Sequence, residues 1–251
     1  MDIAVVTGAS SGLGAEFVRA IAEQGAVDEI WALARRKERL EQLASECLPS
    51  RVRPIPVDLT ERSSFPELER LLIDTRANVR ILVNDAGYCA CGSFESMPEK
   101  DIETMVDLDV TAMTLVNKAC IPFMSRGSYA VIVGSVSSFV PVVGQAVYSA
   151  AKAYTRFHGQ ALRAELKSKG INVMVLSPGN MDTEMNVRGG DGEKAGSLPY
   201  LDLKRITRTS LGRASAGKGF YTPGWFYKGY RIVSKIVPHS IMIGATRSYF
   251  Q

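Results

Sequence analysis

Histidine is nearly absent from this chain: only His158 and His239 occur in 251 residues. A serine hydrolase needs a base of the histidine kind beside its nucleophile. His158 lies six residues past Lys152, on a different helical face from Lys152 and Tyr148, and no Gly-x-Ser-x-Gly elbow occurs. The pattern therefore argues against hydrolysis. Cysteine is also sparse. Cys47, Cys89, Cys91 and Cys120 show no metal-ligand spacing, and Cys89-Ala-Cys91 is too short for a Cys-x-x-Cys redox pair. No metal site is expected, and four reduced thiols fit a cytoplasmic location. No run reaches the about 18 uninterrupted apolar residues that a transmembrane helix needs. A strand is expected almost at once, so no signal peptide is expected. A net charge of +4, read as spread along the chain, gives little support for a nucleic-acid partner. Internal linkers and low-complexity segments are missing too.

What is present is a regular alternation. Strands are expected at 2–7, 29–34, 52–57, up to 84, 129–134 and 171–177, with a short edge strand at 219–222. Helices are expected between them at 15–24, 37–48, 99–124 and from Tyr148 to Lys169. Apolar residues make up 46% of the chain, enough for a sheet buried on both faces. This βαβ order predicts one α/β domain over residues 1–251: a doubly wound parallel sheet with helices on both faces, a Rossmann-like three-layer sandwich. Its ligand belongs outside the carboxyl ends of the strands, where the strand order switches.

Two local patterns carry chemistry. Gly8-Ala-Ser-Ser-Gly12-Leu-Gly14 follows the first strand and opens the first helix. Glycines allow close approach of a pyrophosphate, and helix N-terminal amides favour anions. The spacing is Gly-x-x-x-Gly-x-Gly, not the commoner Gly-x-Gly-x-x-Gly, and a glycine cluster alone is equally an ordinary turn. Its place after the first strand favours a dinucleotide site. Further on, Tyr148 and Lys152 stand four apart and leave one helical face. A cation within a few ångströms favours a phenolate and moves tyrosine toward a useful pKa.

Thr7-Gly-Ala-Ser-Ser-Gly-Leu-Gly14, Asn84-Asp-Ala-Gly87, Ser135, Tyr148-Ser-Ala-Ala-Lys152 and Pro178-Gly-Asn-Met-Asp-Thr183 together resemble the short-chain dehydrogenase/reductase family, in its order and spacing. The resemblance implies that Ser135 polarises a substrate carbonyl and Tyr148 transfers the proton. Lys152 would lower the tyrosine pKa and hold the nicotinamide ribose. It also implies dinucleotide contacts from Gly8, Ser10, Ser11, Gly12, Leu13 and Gly14, from Asp58 and Leu59, and from Asn84, Ala86 and Gly87. Pro178, Gly179, Met181 and Thr183, with Tyr148 and Lys152, complete that set. A homodimer or homotetramer is expected.

Two departures stand out. Asp109 occupies the place where the family commonly has an asparagine whose carbonyl holds a water linked to the lysine. Here a carboxylate either serves that relay or caps a kink. Asp85 replaces the second asparagine of Asn-Asn-Ala-Gly.

Cofactor choice is argued from charge. An enzyme selective for NAD carries an acid about 20 residues beyond the glycine turn. That position holds Ala34, followed by Arg35 and Arg36. Two guanidiniums suit a 2′-phosphate, which favours NADP(H) and leaves NAD(H) as the alternative. A solvated first helical turn is the competing reading. Asp58, at the end of the third strand, is placed to accept from the adenine amino group, or to cap the next helix.

The expected activity is hydride transfer between NADP(H) and a small-molecule carbonyl or alcohol, with Met181, Met185 and the aromatic content pointing to a bulky apolar substrate. A non-catalytic nucleotide-binding regulator, a membrane-surface protein and an acyl-carrier-protein reductase are the weighed alternatives. Residues 182–203 are expected to form a lid. Residues 224–251 form a C-terminal extension in which Trp225, Ile232, Val233 and Ile236 share one helical side, with Lys228, Arg231 and Lys235 along its flank. That apolar side is expected to pack on the chain's own core or lid. A subunit contact and a membrane surface are the alternatives.

Overall fold

The computed structural model describes residues 1–187 and 198–246. Chain order is β1 (Asp2–Thr7), α1 (Gly12–Gln24), β2 (Glu29–Ala34), α2 (Lys37–Glu46), β3 (Val52–Pro56), α3 (Ser64–Asp74) and β4 (Asn78–Asn84). Then come α4 (Glu99–Val106), α5 (Met113–Cys120), β5 (Tyr129–Val133), α6 (Ala146–Leu166) and β6 (Asn172–Leu176). A short α7 (Glu184–Val187), α8 (Leu203–Ser215), β7 (Phe220–Tyr221), α9 (Trp225–Ile236) and α10 (His239–Thr246) complete it.

Among the described residues, seven strands form one parallel sheet in the order β3-β2-β1-β4-β5-β6-β7. The reason is visible in β1. Ile3 and Val5 face one side and Ala4 and Val6 the other, and all are fully buried. A strand apolar on both faces must be covered on both. On one side Ala4 and Val6 meet Phe17 and Ile21 of α1, Leu40 of α2 and Ile206 of α8. On the other, Ile3 and Val5 join Leu68 and Leu72 of α3, Val116 of α5 and Leu166 of α6. Each such side chain contributes about 1.5–3 kcal/mol on burial.

Strand order reverses between β1 and β4, so a crevice opens at their carboxyl ends. Thr7 and Asn84 tie these ends together. The Thr7 hydroxyl donates to Asn84 Oδ1 at 3.2 Å and accepts from the amides of Asp85 and Ala86 at 3.0 Å each.

Several elements differ from the sequence reading. The expected 99–124 helix is interrupted by a π-helical turn at Asp107–Ala112 and ends in a 3₁₀ turn. α3, α8 and α10 were not anticipated. The largest correction concerns α9. Its apolar side does not pack inward: Trp225 is 84% exposed, Ile232 61% and Ile236 76%. The opposite side is the anchored one, through the fully buried Tyr227. Of the expected lid, residues 188–197 lie outside the described residues. Its entry is held by a bridge between Met181 and Leu201.

Candidate active site

The glycine turn is shaped by close approach. Gly8 has φ +70°, and a Cβ there would sit 3.0 Å from the Ala86 amide nitrogen. Gly14 rests on Gly8, and a Cβ on it would meet the Gly8 carbonyl oxygen at 2.4 Å. Ser11 stands at the N-cap of α1 without a side-chain cap bond, so the first-turn amides keep their donor capacity. The Arg36 guanidinium donates to Ser10 Oγ and Ser11 Oγ, at 2.9 and 2.8 Å from Nη2. Its Nη1 lies 2.8 Å from Glu184 of α7, which also pairs with Arg39. These two arginines hold the Glu184 carboxyl at about 2, Arg39 contributing first and Arg36 next. A carboxylate thus occupies the arginine fork, where an anionic phosphate would be received. Asp58 lines the same cleft. Burial raises its pKa, but two bonds from Thr60 and the charge of Arg35 outweigh this and hold it below the ordinary value.

The reacting side lies across the cleft. Ser135 follows β5 and is bonded by the Ser137 amide at 3.1 Å. Tyr148 and Lys152 are buried on α6, with Lys152 Nζ 5.5 Å from the Tyr148 ring centre. Beneath them, Lys152 Nζ lies 2.8 Å from Asp109 Oδ1 and donates to the Val133 carbonyl at 3.4 Å. Asp109 Oδ2 accepts from the Tyr88 amide at 3.2 Å. Gly87 has no side chain because Asp109 fills that space: a Cβ would lie 2.5 Å from Asp109 Oδ1.

Asp109 meets Lys152 directly, Oδ1 to Nζ at 2.8 Å. It sits in the π-helical turn, a register shift common at functional sites. Its carbonyl accepts from the Thr155 hydroxyl at 3.3 Å. The same turn aims its side chain directly at Lys152.

Electrostatics follow from burial. Burial pushes Tyr148 well above its ordinary value. Lys152 and a Ser135 hydrogen bond pull it down, while Cys89 and Asp109 push it up. The expected pull of the lysine is present, but it does not overcome desolvation. Lys152 is itself held above its ordinary value: burial opposes its charge, and Asp109, Tyr148 and Asp85 outweigh that. Burial likewise raises Asp109 against the pull of Lys152. Asp85 is pushed up to about 7 by burial, against Lys152 and the Gly14 amide.

These parts share one cleft of ≈ 350 Å³. A profile of the family described as short chain dehydrogenase matches residues 2–194. This chain belongs to the short-chain dehydrogenase/reductase family. It is an oxidoreductase of that family, acting on CH–OH groups with a nicotinamide dinucleotide. An uncharacterized oxidoreductase from Staphylococcus epidermidis is 32% identical over 206 residues, 81% of this chain and 86% of that protein. Among solved structures, a short-chain dehydrogenase from Sphingobium yanoikuyae in complex with NADPH is 27% identical, with a TM-score of 0.81 over 96% of this chain and 95% of that one. The bulky-bulky ketone specific alcohol dehydrogenase from Comamonas testosteroni is also 27% identical, with a TM-score of 0.77 over 94% and 92%.

Within this short-chain dehydrogenase, most of the residues singled out from the sequence do line the cleft. Gly8, Ser10, Ser11, Gly12, Leu13, Arg35 and Arg36 form its β1–β2 end. Asp58, Leu59, Ala86 and Gly87 form the floor, and Ser135, Tyr148, Lys152, Pro178, Gly179, Met181 and Thr183 the far wall. Gly14 and Asn84 stand behind it. Asn84 is buried, and its amide donates to the Met113 carbonyl at 2.9 Å and to Asn117 at 3.3 Å. It braces β4 against α5 and does not face the cleft.

Four contributors were missed. Glu184 closes the arginine fork. Gln145 accepts from Ser137 Oγ at 3.2 Å and donates to Cys91 at 3.3 Å. Cys89 lines the cleft with its sulfur 3.8 Å from that of Cys91, so the two thiols face each other. Tyr227 lies flat against Gly179, where a Cβ would come within 2.0 Å of its ring, and its hydroxyl accepts from the Asn180 amide at 3.1 Å. Among these, only the aromatic run Trp225-Phe-Tyr227 gave any signal. No cluster of three metal-ligating side chains occurs among the described residues.

Proposed function

We propose that this enzyme reduces apolar carbonyl compounds with NADP(H), or oxidises the matching alcohols, as a cytoplasmic homo-oligomer. The observation that carries the reading is the convergence of Ser135, Tyr148 and Lys152 at one wall of the cleft, with the Arg36 fork at its other end. The nicotinamide supplies the hydride. Ser135 donates to the carbonyl oxygen as negative charge grows on it. Tyr148 delivers a proton to that oxygen in reduction and accepts it back in oxidation. Lys152, charged through its contact with Asp109, stabilises the phenolate that forms.

The preference for NADP(H) is supported by what the fork already grips. Arg36 is oriented by two serine hydroxyls and holds a carboxylate in the structure, which is the behaviour of an anion site. Ala34 offers no carboxylate to a ribose 2′-hydroxyl. An apolar substrate is supported by Tyr88, Val136, Met181 and Met185 along the cleft, and by the bulky-ketone specificity that the Comamonas enzyme carries in its name. The lid reading over 182–203 accords with Met181 and Met185 at its entry. Four free thiols support the cytoplasm. An apolar groove between α4 and α6, lined by Ile102, Val106, Val110 and Val147, supports self-association.

NADPH oxidation with a panel of bulky ketones tests the reading against binding alone. Tyr148→Phe should lower kcat about 100-fold or more while leaving the NADPH dissociation constant nearly unchanged. Changing Arg35 and Arg36 together to alanine should weaken NADPH binding about tenfold or more and leave NADH binding near its starting value. Binding of NADPH with no turnover on any carbonyl would make the protein a regulator. Equal dissociation constants for NADPH and NADH in the unmutated enzyme would remove the cofactor preference.

A further inference from the structure

The charge of this chain is not spread evenly, contrary to the first reading of its composition. Asp202 is the last acidic residue, and the 49 residues that follow hold nine lysines and arginines. The preceding 202 residues carry five more acids than bases. The basic segment is the one that contains α9.

α9 is amphipathic in an unusual sense: its apolar side looks outward. Trp225 (84% exposed), Ile232 (61%), Val233 (44%) and Ile236 (76%) lie along one stripe, and Ile241 of α10 (65%) continues the apolar surface. Lys228 and Lys235 are exposed on the flank of the stripe, and Arg231 beside them stacks 3.9 Å over the Phe220 ring. The inner side is fixed by Tyr227, whose hydroxyl donates to the Pro199 carbonyl at 2.8 Å. The helix is therefore held to the body while it presents aromatic and aliphatic side chains to the outside.

We propose that the α9 face docks this enzyme onto an anionic membrane surface. A tryptophan, two isoleucines and a valine are the groups that enter the headgroup boundary, and flanking lysines pair with anionic lipid. Charge decides between occupants. A second copy of the chain would bring Lys228 and Lys235 against their own kind, with no acid in the segment to meet them. The α4–α6 groove is the apolar surface without that penalty. An anionic lipid surface complements the stripe and its flank together. Docking needs no spanning segment, and no helix among the described residues is long and apolar enough to cross a membrane.

The position has a use. Tyr227, on the inner side of the same helix, backs Gly179 in the cleft wall. The cleft wall thus stands about one helix diameter, roughly 10–12 Å, from the docking face. An apolar substrate dissolved in lipid would reach the cleft over a short path. This last point rests on the proposed carbonyl chemistry, whereas docking itself does not.

The test uses the full chain with vesicles of phosphatidylcholine, with and without phosphatidylglycerol, at low and high salt. Trp31 is fully buried, so a change in tryptophan emission reports Trp225. The proposal expects co-sedimentation and a blue shift with phosphatidylglycerol vesicles, both weakened by salt. Lys228→Glu with Lys235→Glu should weaken that binding at least about tenfold, since each lysine near such a surface is worth about fivefold. NADPH turnover on a water-soluble ketone should be unchanged in this variant, which also verifies its fold. Trp225→Ala should lose the blue shift and weaken binding without touching the charges. Absence of binding to phosphatidylglycerol vesicles overturns the proposal, as does equal binding to both vesicle types. A blue-shifted Trp225 without vesicles means that the chain covers the face itself. A sedimentation mass that falls on changing Ile232 and Ile236 to aspartate assigns the face to a second copy. Either result also overturns it.

Discussion

Replacing Asp109 with asparagine removes one buried anion while keeping the side-chain shape. Asp109 Oδ1 lies 2.8 Å from Lys152 Nζ, which lies 5.5 Å from the Tyr148 ring centre. The carboxylate is therefore within about 8 Å of the ring, and at an effective dielectric near 20 it opposes a phenolate there by about 2 kcal/mol, or about 1.5 pKa units. The sign is fixed: Asp109 raises Tyr148, so its removal lowers the tyrosine pKa. Lys152 also loses a partner that raises it, but Asp85 and Tyr148 still favour its charge. Carbonyl reduction needs the protonated phenol, and alcohol oxidation needs the phenolate. In Asp109→Asn the alkaline fall of the reduction rate should start about 1–1.5 pH units lower, and oxidation should gain rate at correspondingly lower pH. Asparagine has one acceptor oxygen for the two donors that Asp109 serves, Lys152 and the Tyr88 amide. A loss in peak kcat within about tenfold should accompany the shift. The assay is steady-state turnover in both directions across pH. An alkaline limb that stays in place, or moves to higher pH, would refute the claim that this carboxylate acts on the tyrosine.

Asp85→Asn should stabilise the cofactor-free enzyme at alkaline pH. Its folded pKa is raised from 3.8 to about 7, so the stability it contributes is full below 3.8 and is lost as pH rises through 7. The variant should gain melting temperature at pH 8 and little at pH 4, by about 2–4 °C per kcal/mol recovered, and an equal gain at both would contradict this. Glu184→Gln should tighten NADPH about 1.5- to 5-fold and leave NADH unaffected, because an exposed carboxylate no longer competes for Arg36 and Arg39. Fluorescence titration of the two cofactors checks it, and a parallel change in both would point to a general loosening of α7. Gly179→Ala should destabilise by about 1–3 kcal/mol through overpacking against Tyr227, and Tyr227→Ala in the same chain should relieve part of that cost. Additive losses in the double variant would deny the contact its role.

Much of this site was legible because its chemistry is written locally. The glycine turn must follow a strand and open a helix, and the spacing from Tyr148 to Lys152 is fixed by one helical turn. Strand cores such as Ile3 to Val6 announce themselves as unbroken apolar runs. What escaped has a common cause. The π turn at Asp107–Ala112 leaves no compositional mark, since it is a shift of hydrogen-bond register set by what packs against the helix. α3 carries helical spacing at Phe65, Leu68 and Leu72 but no chemical motif to mark it. Glu184 reaches the cleft, and Tyr227 backs its wall at Gly179, from segments far along the chain, and only tertiary packing brings them there. In α9, helical spacing shows which residues share a side and not which side faces the body. Sequence reveals the lysine beside Tyr148 but not the depth of burial that opposes its pull.

The seating of Tyr227 on Gly179 also bears on how the molecule is made. Tyr227 follows Asn180, the donor to its hydroxyl, by 47 residues. During synthesis, β1 to β6 and the glycine turn emerge well before this ring does. A nascent chain can therefore assemble its sheet while one wall of the cleft is still open. The backing of Gly179 is supplied only when α9 follows, so this wall gains its support after the sheet that it flanks.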